Sequence, residues 1–384
     1  MGLIISVMGT WMQRVAQGWL VYELTDRAIY LGLVAACGTV PMFLLTLPAG
    51  VLADRFKKRN ILLVTQSLAM LQAFALAALI YTGAIRVWHV MMFAAFLGTV
   101  WAFDMPTRHA MVLELVRKEE TLNAVSLNSG AFNIGRIVGP AIGGVLIEAA
   151  GMATCFLVNG LTFIALIGAL ATIKPRPAAS GTRERMVKEI GEGLAWALSN
   201  RTASALLGLI ATTSLFALAY VVILPVFARD TFEVGALGLG FMMVAHAVGA
   251  ILAAVFLTAL GHHWRLGGLA TAGSFILPLA LGMLALAPGY ALGIAGLLLI
   301  GLGMMMLNIS ANAMLQKASP DELRGRVMSL RSFLFAGLSW VGDLQIGLMA
   351  EWLGPRAAVG IGAAACAAAA LAAWRLVPAL RRSE

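Results

Sequence analysis

The sequence predicts an all-α membrane protein of twelve transmembrane helices in two pseudo-symmetric six-helix bundles. Three observations carry that prediction. The first is composition: 61% of the 384 residues are hydrophobic and 12% are charged. A soluble domain has about 45–50% apolar and about 25% charged residues, so lipid must be the solvent for most of these side chains. The mean hydropathy of +0.90 agrees. The second is length. A span with its connection takes roughly 30 residues, and 384 residues hold twelve such units. The third is an internal repeat. A shift of 203 residues places Ala110, Met111, Glu119, Ser126, Leu127, Ser129 and Phe132 on Ala313, Met314, Glu322, Ser329, Leu330, Ser332 and Phe335. The same shift places Val138, Gly139, Gly144, Glu148 and Gly151 on Val341, Gly342, Gly347, Glu351 and Gly354. Shared apolar composition explains matched Ala and Leu; it does not explain matched Glu and Gly in one register.

Apolar runs between polar punctuation place the spans at about 1–23, 29–53, 60–82, 88–110, 121–149, 152–173, 201–226, 236–260, 266–287, 290–315, 327–351 and 357–378. Barrel strands are excluded because they alternate every second residue, whereas Ile361 to Leu371 is apolar on all sides. The first run lacks a basic leader and a small-residue cleavage site, so it reads as a span and not as a signal peptide. Of the 27 Lys+Arg residues, 21 fall on the side of the 2–3, 4–5, 6–7, 8–9 and 10–11 connections and the C-terminal tail. Arg27, Arg86, Arg229 and Arg356 fall on the other side, and Arg14 and Arg136 lie within spans. The positive-inside rule then puts both termini in the cytoplasm of a plasma (inner) membrane protein. The net charge of +9 belongs to these loops, and no nucleic-acid partner is expected.

The domain boundaries follow. Residues 1–173 form the N-terminal bundle, 174–200 a cytoplasmic linker, and 201–384 the C-terminal bundle. Lys174 to Arg185 is rich in Pro, Arg, Ser and Gly. Met186, Ile190, Leu194 and Ala197 then recur at helical spacing and predict a short amphipathic helix on the inner membrane face. Cys37, Cys155 and Cys366 lie in apolar runs without metal spacing. No metal and no cofactor are expected.

Two runs carry most of the functional signal. Gly50-Val51-Leu52-Ala53-Asp54-Arg55-Phe56-Lys57-Lys58-Arg59 stands at the cytoplasmic end of span 2. Its glycine permits close helix approach, its carboxylate can pair with a cation or cap a helix, and its cations suit an anionic inner surface. Gly135-Arg136-Ile137-Val138-Gly139-Pro140-Ala141-Ile142-Gly143-Gly144 lies in span 5, with small residues four apart and a proline that bends the helix. In these runs the chain resembles the major facilitator superfamily. Phe103 to Arg108, Asn123 to Asn128 and Gly9 to Gln17 resemble its enterobactin-exporter-like and drug-efflux branch, so the likeness covers essentially the whole chain. The resemblance implies alternating access in the major facilitator fold. It implies a cytoplasmic gate of Gly50, Asp54, Arg55, Arg59 and Arg108, and an antiporter-like motif of Gly135, Arg136, Gly139, Pro140, Gly143 and Gly144. It also implies a first helix shortened at its start, because relatives carry more residues before Gly9.

Ionisable residues inside a span are costly and mark function. Asp104 in span 4 and Asp343 in span 11 are therefore the proton-coupling candidates, with pairing to Arg108 as the structural alternative for Asp104. Gln13, Arg14, Gln17, Trp101, Asn133, Asn308 and Asn312 are the substrate-cavity candidates. The expected function is secondary active, proton-coupled export of a small amphipathic compound, drug-like or siderophore-like, by a monomer whose partners are substrate, protons and lipid. Import or facilitation of a small metabolite is the alternative on the same fold. An ATP-driven pump is disfavoured by the absence of a phosphate-cradling G-x-x-x-x-G-K-[ST] loop. An intramembrane enzyme is disfavoured by the absence of H-E-x-x-H and G-x-S-x-G.

Overall fold

The computed structural model describes residues 2–115, 117, 120–173, 194–260 and 266–377, with the side chains of 47, 51–55, 113, 122, 125 and 260 outside that description. All regular structure among the described residues is helical. The helices are α1 (Gly2–Thr25), α2 (Ala28–Arg55), α3 (Lys58–Tyr81), α4 (Val87–Leu115), α5 (Thr121–Ala150) and α6 (Met152–Thr172), then α7 (Arg201–Thr212), α8 (Gly235–Leu260), α9 (Leu266–Leu286), α10 (Tyr290–Ala318), α11 (Asp321–Gly337), α12 (Ser339–Leu353) and α13 (Pro355–Leu376). Eleven described helical segments are long and apolar enough to cross a bilayer. α1 adds a further 24-residue helix, made more polar by Gln13, Arg14, Gln17 and Glu23. The expected all-α fold stands. The linker, including most of the expected amphipathic helix, lies outside the described residues. Only 194–200 is described there, and 194–199 is helical.

The described residues fall into two compact units. One holds α1–α6 together with Ala228–Val244, and the other holds the preceding stretch up to Phe227 and the chain from Ala245 onward. In the first unit α1 packs between α5 and α6, α2 on α4, and α3 on α6 and α4. α2 and α4 cross at Gly38 and Gly98, where a Cβ on Gly98 would collide with the Gly38 backbone. In the second unit α9 packs on α10 and α13. The core there gathers Leu206, Ile210, Leu307, Leu315 and Val327, with Ala197 of the short helical stretch tucked against them.

Two spans depart from regular helix. Span 7 was expected as one run over 201–226. α7 instead gives way to a π turn (Thr213–Ala217), a 3-10 stretch (Leu218–Ile223), a short α turn (Leu224–Val226) and a second π turn (Phe227–Thr231). The local sequence explains why. Pro225 has no N–H to give the preceding turn, and Val221, Val222 and Ile223 crowd their own backbone. Span 11 breaks at Leu338 between α11 and α12. The Ser214 hydroxyl, from the π turn, donates to the Phe335 carbonyl at 2.7 Å beside that break.

The repeat is visible in backbone geometry. Gly151 ends α5 and starts α6 with φ 79° and ψ 167°, and Gly354 ends α12 and starts α13 with φ 84° and ψ 159°. Only glycine adopts this region without strain, so residues 203 apart make the same joint in each half. At Gly50 a Cβ would meet no described atom within 4 Å. Gly151→Ala and Gly354→Ala are each expected to cost about 1–3 kcal/mol, read as a lower Tm in detergent. Gly50→Ala is expected to leave Tm unchanged.

Candidate functional site

Ionised side chains buried in lipid must meet partners inside the protein. Asp104 of α4 is 5% exposed. Arg108, one turn on, donates to Asp104 Oδ1 from Nε at 2.9 Å and from Nη2 at 2.6 Å. Thr65 Oγ1 and Gln66 Nε2 of α3 donate to Oδ2 at 2.8 and 2.5 Å. The i, i+4 spacing sets the ion pair on one face of α4, and adjacent donors on α3 close the other oxygen. The structural alternative to proton carriage is therefore present in full at Asp104.

Lys58 at the start of α3 pairs with Glu114 of α4 at 2.5 Å. This contact accompanies the continuation of α4 to Leu115, five residues past the expected end. Arg59 donates to the carbonyls of Leu170 at 2.9 Å and Ala171 at 2.6 Å. A cation on the last carbonyls of α6 satisfies orphan acceptors and complements the helix dipole. Within the first unit, the candidate gate cation Arg59 thus ties α3 to α6, and Arg108 holds the Asp104 carboxylate that α3 also engages. The side chains of Asp54 and Arg55 lie outside the described residues.

The span-5 motif is a two-sided seam. A Cβ on Gly135 would meet Met8 N at 3.1 Å, one on Gly139 would meet Met8 O at 2.5 Å and Trp11 Cβ at 2.7 Å, and one on Gly143 would meet Met12 O at 3.2 Å. These three glycines lie on one face, and that face receives α1. Gly144 faces elsewhere: its Cβ would meet Ala236 O at 2.8 Å and Leu237 Cα at 2.9 Å at the start of α8. Reciprocally, a Cβ on Gly240 would meet Pro140 O at 2.6 Å. α5 remains one helix through Pro140, whose missing N–H leaves the Arg136 carbonyl without its usual helical donor. Glu148 completes the seam by accepting from Leu237 N at 3.2 Å, an anion on the first turn of α8. Arg136 Nη2 donates to Asn133 Oδ1 at 2.9 Å, and Asn133 Nδ2 donates to Ser129 O at 3.0 Å.

The cavity candidates separate into two kinds. Gln13 is 4% exposed. Its Nε2 donates to Gln72 Oε1 at 3.3 Å, and Asn159 Nδ2 donates to Gln13 Oε1 at 2.6 Å. It is a buried cross-tie of α1, α3 and α6. Arg14, next in sequence and about 100° round the helix, is exposed. Its guanidinium lies 4.7 Å from the Trp11 ring centroid and 5.7 Å from that of Trp101. Gln17, one turn on from Gln13, is half-buried. In the second unit Arg331 of α11 donates to Asn308 of α10, and Asn312 and Asp343 are half-buried.

Several participating residues escaped sequence reasoning. At the end of the first unit away from Lys58 and Arg59, the Tyr22 hydroxyl donates to Asp230, and Arg229 pairs with Asp26. The Arg229 guanidinium also lies 4.9 Å from the Tyr22 ring centroid. These residues stand some 200 positions apart, and no local pattern links them. Arg331 lies just inside the expected start of span 11 and was counted with the basic residues of the 10–11 connection, which hid its place in the helix. Tyr220 and His246, hydrogen-bonded at 2.8 Å, carry no motif.

The model of the transmembrane secretion effector family matches residues 1–383. The chain belongs to the transmembrane secretion effector family of the major facilitator superfamily. Among curated proteins, it is similar to the staphyloferrin A transporter of Staphylococcus aureus (strain NCTC 8325 / PS 47), at 28% identity over 90% of this chain and 87% of that one. It is 26% identical to the multidrug efflux pump Tap of Mycolicibacterium fortuitum, over 90% and 87% of the two chains. It is also 26% identical to the enterobactin exporter EntS of Shigella boydii serotype 18 (strain CDC 3083-94 / BS512), over 85% and 78%. The fold matches that of a bacterial homologue of the iron transporter ferroportin in an inward-facing state, with TM-score 0.76, 16% identity and coverage of 98% and 96%. This secretion effector is therefore a multi-pass membrane protein of the major facilitator fold, as the sequence runs imply.

Breaking one side of a buried ion pair costs about 3–5 kcal/mol, because the remaining charge is left unpaired. Asp104→Asn in this family member is expected to lower Tm in detergent strongly. Asp104→Asn with Arg108→Gln together is expected to recover part of that loss.

Proposed function

We propose that this chain is a proton-coupled exporter of small amphipathic anions, working as a monomer in the plasma (inner) membrane with both termini in the cytoplasm. The observation that carries this reading is Arg14, set halfway along α1 with its guanidinium against two indoles. An arginine in that place serves an anion, since a cationic substrate would be repelled in a low-dielectric setting. The indoles add flat apolar faces, which suit the other half of an amphipathic molecule. Siderophore carriers and a drug pump among the relatives support small-compound export as the class of cargo.

Proton entry supplies the energy in this reading, worth about 2.3 kcal/mol per charge per 100 mV. Of the two candidate carboxylates, Asp104 already accepts four hydrogen bonds. We therefore assign it to holding α3 and α4 together, and assign the coupling proton to Asp343. The span-5 seam serves as a rigid joint: three glycines seat α1 and a fourth seats the start of α8. Nothing in this reading calls for catalysis or a cofactor.

Proteoliposomes test the reading. An outward-directed flux of carboxyfluorescein driven by a pH gradient is expected, with little flux of the permanent cation ethidium. Arg14→Gln is expected to raise the half-saturating anion concentration about tenfold, the scale of a lost charge-assisted contact. Asp343→Asn is expected to abolish the response to the gradient. Preferential ethidium transport that is unaffected by Arg14→Gln would overturn the anion assignment.

A further inference from the structure

We propose that His246 is a proton-binding group of the transport cycle, with the Tyr220 hydroxyl as its partner; this rests on the reading of the chain as proton-coupled. His246 is the one ionisable side chain of the 26-residue helix α8 and stands near its middle. Its Nδ1 shares a hydrogen bond of 2.8 Å with the Tyr220 hydroxyl, and the rings meet edge-on at 5.9 Å and 69°. The Tyr220 side chain is fully buried.

The partners fit proton exchange. A hydroxyl both donates and accepts, and its hydrogen rotates freely. When Nδ1 is bare, Tyr220 donates to it. When Nδ1 carries a proton, Tyr220 accepts from it. The heavy atoms need not move, so the pair survives either state. One proton bound on one side of the membrane and released on the other moves one positive charge per cycle. An imidazolium costs far more in an apolar layer than in water. Protonation therefore biases the protein toward whichever conformation wets His246.

The surroundings leave few other groups to do this. The 3-10 stretch of span 7 presents Tyr220 alone. α10 approaches α8 so closely that a Cβ on Gly301 would strike the His246 carbonyl oxygen, and one on Gly249 would strike that of Leu298. Its ionisable residues, Tyr290 and Lys317, stand at its two ends. α12 packs against the 3-10 stretch and carries Asp343 and Glu351. Tyr220 thus lies on a segment that meets both His246 and the helix of Asp343. That segment is the irregular part of span 7, and non-α backbone inside a membrane is tolerated where it serves function.

Two measurements test the assignment. In nanodiscs, nitrogen-15 histidine NMR is expected to show a resonance that titrates within about pH 5 to 8, disappears in His246→Gln, and shifts its midpoint in Tyr220→Phe. A His246 signal fixed in one protonation state across that range would overturn the proposal. In proteoliposomes, His246→Gln is expected to lose gradient-driven carboxyfluorescein flux while keeping counterflow without a gradient, which a purely structural role would not separate. Unchanged gradient-driven flux in His246→Gln would equally overturn it. Wild-type flux indifferent to the gradient would instead refute proton coupling itself, and the NMR titration would still decide whether His246 binds a proton.

Discussion

A polar group inside a bilayer has no water to fall back on, and the rest of this structure depends on that constraint. Asp104 draws donors from two helices. Arg59 finds the end of α6, and Gln13 finds Gln72 and Asn159. The Arg59 and Gln13 solutions join helices that lie far apart in sequence. The polar residues therefore do the positioning that apolar packing cannot, because lipid tails compete equally well for a leucine face. What apolar packing does supply is closeness, and glycine makes that possible at Gly98, Gly139 and Gly301.

This division of labour explains why some sites were legible in the sequence. The helices were legible because a bilayer forces long apolar runs; their ends were less so, since α4 runs five residues past its expected end and α11 begins six residues before the expected start of span 11. The span-5 seam was legible because its glycines recur every four residues, a spacing that fixes a face before any partner is known. The identity of the two partners was not legible; Gly144 turns toward α8 only because it stands one residue past the stripe. The Asp104–Arg108 pair was legible from i, i+4 spacing alone, but the closure by Thr65 and Gln66 required α3 beside α4. The Tyr22, Asp26, Arg229 and Asp230 cluster joins two distant turns and left no trace in either.

One residue type serves two ends here: a helix crossing at Gly98 and a backbone joint at Gly151. Arg59 shows a limit of reading charge from sequence alone. A cation in a basic loop reads as topogenic, while in the fold it ends a helix. Neighbouring residues therefore divide the tasks: Lys58 pairs with a carboxylate and Arg59 with carbonyls.

The irregular course of span 7 sets a gradient of local stability within the second unit. Regular helices such as α9 and α10 exchange their amides only when a long cooperative run of hydrogen bonds opens. Between Arg201 and Val226 the hydrogen-bond pattern changes three times, from α to π to 3-10 to α, so each short segment can open with little cost to the next. The fluctuations of lowest free energy in this unit are accordingly expected to concentrate where Tyr220 meets His246, and α9 and α10 keep their shape around them.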